Sequence, residues 1–183
     1  MAYDLRRADA RVKWLVTCLL ATFGVAYLFG AWMVGLYAGF TPPSVAATYG
    51  SGEMHMPMPP ERTVVVEHRL KLSDFAESAP HTVDRDLLIQ DTHVHVPMYG
   101  VIAAALSLVV LGLALPKGVG YGLITLLFAA PWLDFAGMWL TKLVSSQFAI
   151  VTLLGGWAMA LGYTVVTVLA LWQMWRPPLG VEP

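Results

Sequence analysis

The chain has 183 residues, of which 57% are hydrophobic and 13% charged, with a formal net charge of −1 and a mean hydropathy of +0.64. Soluble domains carry about 25% charged residues, so this composition excludes an ordinary water-soluble domain and points to an integral membrane protein. Cys18 is the single cysteine, which excludes an internal disulfide framework, a CxxC redox pair and a zinc–thiolate centre.

Residues 1–13 form a polar N-terminal segment carrying Arg6, Arg7, Arg11 and Lys13. The apolar run Trp14–Phe40 follows, and it exceeds the roughly 20 residues a helix needs to cross the hydrocarbon core. A cleaved signal peptide has an apolar region of about 7–15 residues, and no small-residue cleavage site ends this run cleanly. Ala8-Asp9-Ala10 after Arg6-Arg7 is also wrong for a twin-arginine signal, so residues 14–40 read as a retained first span. Cys18, inside it, reads as a small buried side chain.

Residues 41–92 are the one extramembrane segment large enough to hold structure. Thr41 as N-cap and Pro42 at the first helical position predict a short surface helix through Tyr49, broken by Gly50-Ser51-Gly52. Thr63–Ser73 is β-branched and then alternating, which predicts a strand. Asp84–Asp91 is amphipathic and predicts a helical lead-in to the second span.

Apolar runs at Val96–Leu115, Val119–Leu140 and Phe148–Trp175 predict three more spans, at 93–115, 119–141 and 147–175, with 176–183 as a tail. Pro116-Lys117-Gly118 and Thr141–Gln147 are short connections that force antiparallel neighbours. Small residues recur every four positions at Ala31/Gly35/Gly39, Gly156/Ala160 and Ala158/Gly162, a pattern that lets helix backbones approach closely. The expected fold is an all-α, four-transmembrane-helix bundle with one large loop. Arg6, Arg7, Arg11, Lys13, Lys117 and Arg176 fall on one side of that bundle. The positive-inside rule therefore predicts cytoplasmic termini and an extracytoplasmic loop, in the inner membrane of a bacterium.

The polar groups at the span edges are the candidates for chemistry. His93 and His95 lie two apart, and in a regular helix they point about 200° away from each other. Proline suits the first turn of a helix, so a span starting near Pro97 leaves residues 92–96 extended and turns both imidazoles to one side. Such a pair is a good ligand set for copper, zinc or iron; the alternative is a pair of interfacial histidines that anchor the helix end. Met54-His55-Met56-Pro57-Met58 offers the thioether and imidazole ligands that suit cuprous copper, or else a Met-rich stretch packed on the membrane surface. Asp134, in the third span behind Pro131, is a costly lone carboxylate that should face the bundle interior. Lys142, two turns further on, shares its helix face. His93, His95, Asp134 and Lys142 are expected to converge near the outer interface, with both imidazoles approaching Asp134.

Phe40-Thr41-Pro42 with Val45 and Tyr49, then Thr92-His93-Val94-His95, then Asp134 with Trp139-Leu140, resembles a family of small bacterial four-span membrane proteins. Its members show an FTP-like loop start, a THxH motif opening the second span and D-x4-WL in the third. Val144-Ser145-Ser146-Gln147-Phe148-Ala149 departs from the family's VSP-FA stretch at the proline position. Some members carry the label elongation factor 1-alpha, which nothing in a membrane chain supports. The resemblance covers residues 12–175, implies that His93, His95 and Asp134 act together, and implies no particular activity.

Two functional readings follow. The first is a protein with a copper or haem site at the outer face, accessory to respiratory or metal-handling systems. The second is a non-catalytic structural or assembly subunit, whose partners are the bilayer and other membrane subunits or a second copy. A haem clamped between spans needs axial ligands from two of them, and only the second span offers histidine. A proton path through Asp134 lacks a polar chain to the cytoplasmic side. No activated nucleophile or paired-carboxylate site argues for an enzyme, and no phosphate-binding loop or basic patch argues for a nucleic-acid partner.

Overall fold

The computed structural model describes residues 4–50 and 82–176. Their elements are a 3₁₀ turn at Leu5–Arg7, then α1 (Ala10–Tyr37), α2 (Pro42–Tyr49), α3 (Arg85–Leu111) and α4 (Lys117–Leu143). A second 3₁₀ turn at Ser146–Phe148 and α5 (Ala149–Trp175) complete them. The four long helices are each apolar and long enough to cross a membrane, and the chain is an all-α bundle. Met54, His55, Met56, Met58 and the strand expected over Thr63–Ser73 lie outside the described residues.

Local chemistry sets the helix ends. Asp9 caps α1, its carboxylate accepting from the Arg11 N–H at 2.8 Å. Gly39 follows α1 with φ +70°, a left-handed conformation that glycine adopts without strain and that reverses the chain toward α2. Thr41 and Ser44 form a reciprocal capping box at the start of α2, with prolines at its first two positions, as the sequence predicts.

The helical lead-in expected over Asp84–Asp91 is present, but the extended stretch expected after it is not. Asp84 caps it, accepting from the Leu87 N–H at 2.7 Å, and the helix then runs unbroken past Pro97. Residues 92–96 are helical, not extended. The cap starts the helix three turns before the proline, so Pro97 costs only the one bond it cannot donate, to the His93 carbonyl.

Helices α4 and α5 form the tightest pair. A Cβ added to Gly155 would lie 2.6 Å from Asp134 Cα, and one added to Gly137 would lie 2.7 Å from Thr152 Cα. The two backbones are in direct contact, each glycine facing the other helix. The small-residue pattern thus operates with a different register from the one expected. Gly162 packs on Leu126 and Leu127, but Gly156 faces open space and Gly155 takes its place. Thr152, Gly155, Met159, Gly162, Val166 and Ala170 make the buried stripe of α5, a spacing of three or four residues. Gly35 and Gly39 meet Phe40 and Ser44 of the following turn, not another span.

The connections define two ends of the bundle. At the terminal end, where residues 4 and 176 lie, Leu5 is 1% exposed and its N–H donates to the Gly112 carbonyl at 2.8 Å. Residues before α1 therefore plug the bundle. Only Leu20 of α1 is fully buried. That helix meets α5 through large side chains, with Tyr27 edge-on to Tyr163 at 5.9 Å and Trp175 Nε1 donating to Thr17 Oγ1 at 3.1 Å. Cys18 is exposed on the outside of α1, against the expectation of burial, because so little packs on that helix.

Candidate functional site

The loop end holds the second, smaller core cluster: Leu88, Phe135 and Met138, with Tyr49, Tyr99 and Trp139 packed against it. Helix α2 lies across this end. Val45 and Thr48 are buried beneath it, and the Thr48 hydroxyl donates to the Tyr37 and Ser44 carbonyls at 3.2 and 3.1 Å. The Thr92 hydroxyl donates to the Leu88 carbonyl at 2.7 Å and accepts from Trp139 Nε1 at 3.0 Å, which ties α3 to α4. The three motifs behind the resemblance therefore meet in space, through Val45 and Tyr49, Thr92 and His95, and Asp134 and Trp139.

Within this frame His95 is oriented by its own helix. Its Nδ1 lies 2.8 Å from Asp91 Oδ1 and 2.9 Å from the Asp91 carbonyl oxygen. With only acceptors around it, Nδ1 carries a proton, so in the neutral ring Nε2 holds the free lone pair. A carboxylate fixing the tautomer in this way is the arrangement found behind metal-bound and proton-accepting imidazoles. The His95 ring also lies 5.8 Å from that of Tyr99, and Tyr99 lies 5.8 Å from Phe135. The His95 and Asp91 side chains are 44% and 40% exposed, so ligands can reach them.

Asp134 leaves α4 where Gly155 presses on its backbone, and it is half-buried. It lies within electrostatic reach of Asp91 and His95. Its carboxylate has no hydrogen-bond partner among the described residues. Tyr49, on α2, senses the same charges: burial first, then Asp134, Asp91 and Tyr99, push its phenol up to about 12.

His95 and Asp134 lie within electrostatic reach of each other, with no ion pair or hydrogen bond between them among the described residues. His93 does not join them: it is exposed and, on a continuous helix, points away from His95. Lys142 is engaged elsewhere, its ammonium donating to the carbonyls of Val83 at 2.8 Å and Gly50 at 3.2 Å. It clamps the end of α2 to the entry of α3, and its shared helix face with Asp134 does not become a shared contact. Among the described residues no group of three or more His, Cys, Asp or Glu converges as a metal cage. Met138 is 5% exposed in the apolar cluster.

Sequence reasoning missed Asp91, Tyr49 and Tyr99. The i, i+4 spacing of Asp91 and His95 was a usable signal. Nothing in the sequence placed Tyr49 over the site, because that depends on how α2 folds back.

A family model described as a transmembrane helical domain matches residues 39–179. No curated protein matches the chain, and no solved structure does. The matched stretch begins where α1 ends and includes every residue of the site described above.

Proposed function

We propose that this chain, a member of the Aq_1264_TM family of transmembrane helical domains, is a multi-pass bacterial inner-membrane protein whose loop end binds protons or a small cation. The site is carried by His95 Nε2 and the Asp134 carboxylate, and the protein serves as an accessory to a respiratory or metal-handling system. The observation behind this reading is Asp134 itself. A carboxylate inside a span is costly unless paired or protonated, and this one has no partner among the described residues while an oriented imidazole and a second carboxylate sit within its field. Two acids within electrostatic reach of one imidazole favour positive charge at this end of the bundle.

Copper or haem held by His93 and His95 together fits poorly, because the two rings diverge on α3. A metal would instead be held by His95 Nε2 with Asp134. The loop end is assigned to the extracytoplasmic side by the basic residues at the terminal end, Arg6, Arg7, Arg11, Lys13, Lys117 and Arg176. A reporter fused after residue 183 should be active in the cytoplasm; activity only in the periplasm reverses the assignment.

The deciding experiment is pH-difference infrared spectroscopy on the protein in lipid, beside Asp134→Asn. The expected result is a carboxylic-acid band that vanishes in the variant together with a changed imidazole band. Identical difference spectra would remove Asp134 from the site. Metal and haem analysis of the purified protein and of His95→Ala separates a metal ligand from a proton.

A second reading, a structural or assembly subunit, is favoured by α1. Its 28 residues bury only Leu20 fully, and Trp14, Leu28, Phe29 and Trp32 are more than 60% exposed. Lipid alone or a partner span satisfies such a face, and a detergent-stable complex would select the partner.

A further inference from the structure

Just inside the membrane from His95, α3 and α4 part to leave an apolar crevice of about 220 Å³, bounded by Val96, Tyr99, Gly100, Pro131, Trp132 and Phe135 among others. Tyr99 belongs to both places: it lines the crevice, and its ring lies tilted at 5.8 Å from that of His95. Its hydroxyl has no hydrogen-bond partner among the described residues, so a donor stands free where the apolar slot meets the polar cluster. On α4, Pro131 has no N–H to give the Leu127 carbonyl. Leu127 and Pro131 both border the crevice. Aromatic faces come from both helices, with Tyr99 on α3 and Phe128, Trp132 and Phe135 on α4.

We propose that this crevice binds the head group of a lipid-soluble p-quinone, entering from the bilayer between α3 and α4. A flat ring fits a slot walled by aromatic side chains. Its carbonyl oxygens accept from the Tyr99 phenol. Its apolar tail stays in lipid. An acyl lipid would use the slot's apolar surface but not its rings or its free donor. The contact with His95 rests on the reading of His95 and Asp134 given above; the crevice itself does not.

Glycine supplies the test. A Cβ added at Gly100 meets nothing within 4 Å, so Gly100→Leu fills the crevice without displacing backbone. Gly24 borders a separate crevice between α1 and α5, and a Cβ there also meets nothing, so Gly24→Leu is a matched control. The full-length protein in phosphatidylethanolamine bilayers is labelled with a photoreactive azido-p-benzoquinone and mapped by mass spectrometry. Label should concentrate on the 96–103 and 127–135 segments and be displaced by decyl-p-benzoquinone but not by added phospholipid. It should fall about tenfold in Gly100→Leu, as expected for an occupied slot with no slack, and stay unchanged in Gly24→Leu. Tyr99→Phe, which keeps the ring, should weaken displacement without abolishing it. Label spread evenly over lipid-facing residues, or equal in Gly100→Leu, overturns the proposal, and displacement by phospholipid overturns it in favour of a lipid. An intact Asp134 infrared response with no crevice label removes the quinone alone. Crevice label with no such response keeps the quinone and removes the proton site.

Discussion

At the residue scale the site is a problem of unpaired charge. Asp134 stands in a span with no hydrogen bond among the described residues, a state that favours function over stability. Asp134→Asn should therefore leave the protein folded and raise its thermal stability in detergent, by about 1–3 kcal/mol if the desolvated carboxylate is as costly as membrane-inserted acids generally are. A lower melting temperature would mean that the carboxylate has a partner that stabilises the fold. Tyr49 gives a pH prediction of its own. Its phenol is raised from 10.0 to about 12 by burial and nearby acids, so the folded protein holds that proton longer than the unfolded chain does. Its contribution is then fully present below pH 10 and is lost as pH rises toward 12. In an ultraviolet titration Tyr49→Phe should lower the number of late-ionising tyrosines by one, and an unchanged number would show that α2 does not cover Tyr49.

At the scale of elements, α4 and α5 are held at backbone contact by Gly137 and Gly155. Gly155→Ala forces backbone against backbone at Asp134 and should cost about 1–3 kcal/mol. Gly156→Ala enters open space and should be neutral or gain a few tenths of a kcal/mol from helix propensity. Denaturation of the two variants side by side checks the register, and equal effects would contradict it. The pair was half legible in the sequence. Small residues four apart announced a close crossing, but two adjacent glycines left the register open by one position. Only the partner's side chains select between them. The same limit applied to α3: proline marks a preferred helix start, yet the Asp84 cap three turns earlier starts the helix first and carries it through.

At the scale of the whole molecule, α1 is a peripheral helix attached along one side of a tighter three-helix unit. Cys18 reports on this directly, because it is exposed in the part of α1 that lies among apolar residues. In intact membranes it should react with a lipid-soluble maleimide and not with a membrane-impermeant one. Protection from both reagents would place a further helix, from another subunit or a second copy, against α1. The family match begins at Gly39, so the unit it covers contains α2 to α5 and the whole site. Helix α1 stands wholly outside it.

By itself the sequence determined the class of structure. Four apolar runs of sufficient length must become helices in a bilayer, since every backbone group there has to be satisfied within the segment. The cap at Thr41, the helical lead-in over Asp84–Asp91 and the short connections after α3 and α4 are equally local and were equally legible. The tertiary structure alone decided which polar groups meet. His93 and His95 are neighbours in sequence but part company on one helix, and Lys142 leaves Asp134 to clamp α2. Asp91, His95, Tyr49 and Asp134 come within electrostatic reach of one another from three helices. Helical periodicity fixes which residues share a face, but which face turns toward which neighbour is set by packing between helices, and in this bundle Gly137 and Gly155 set it.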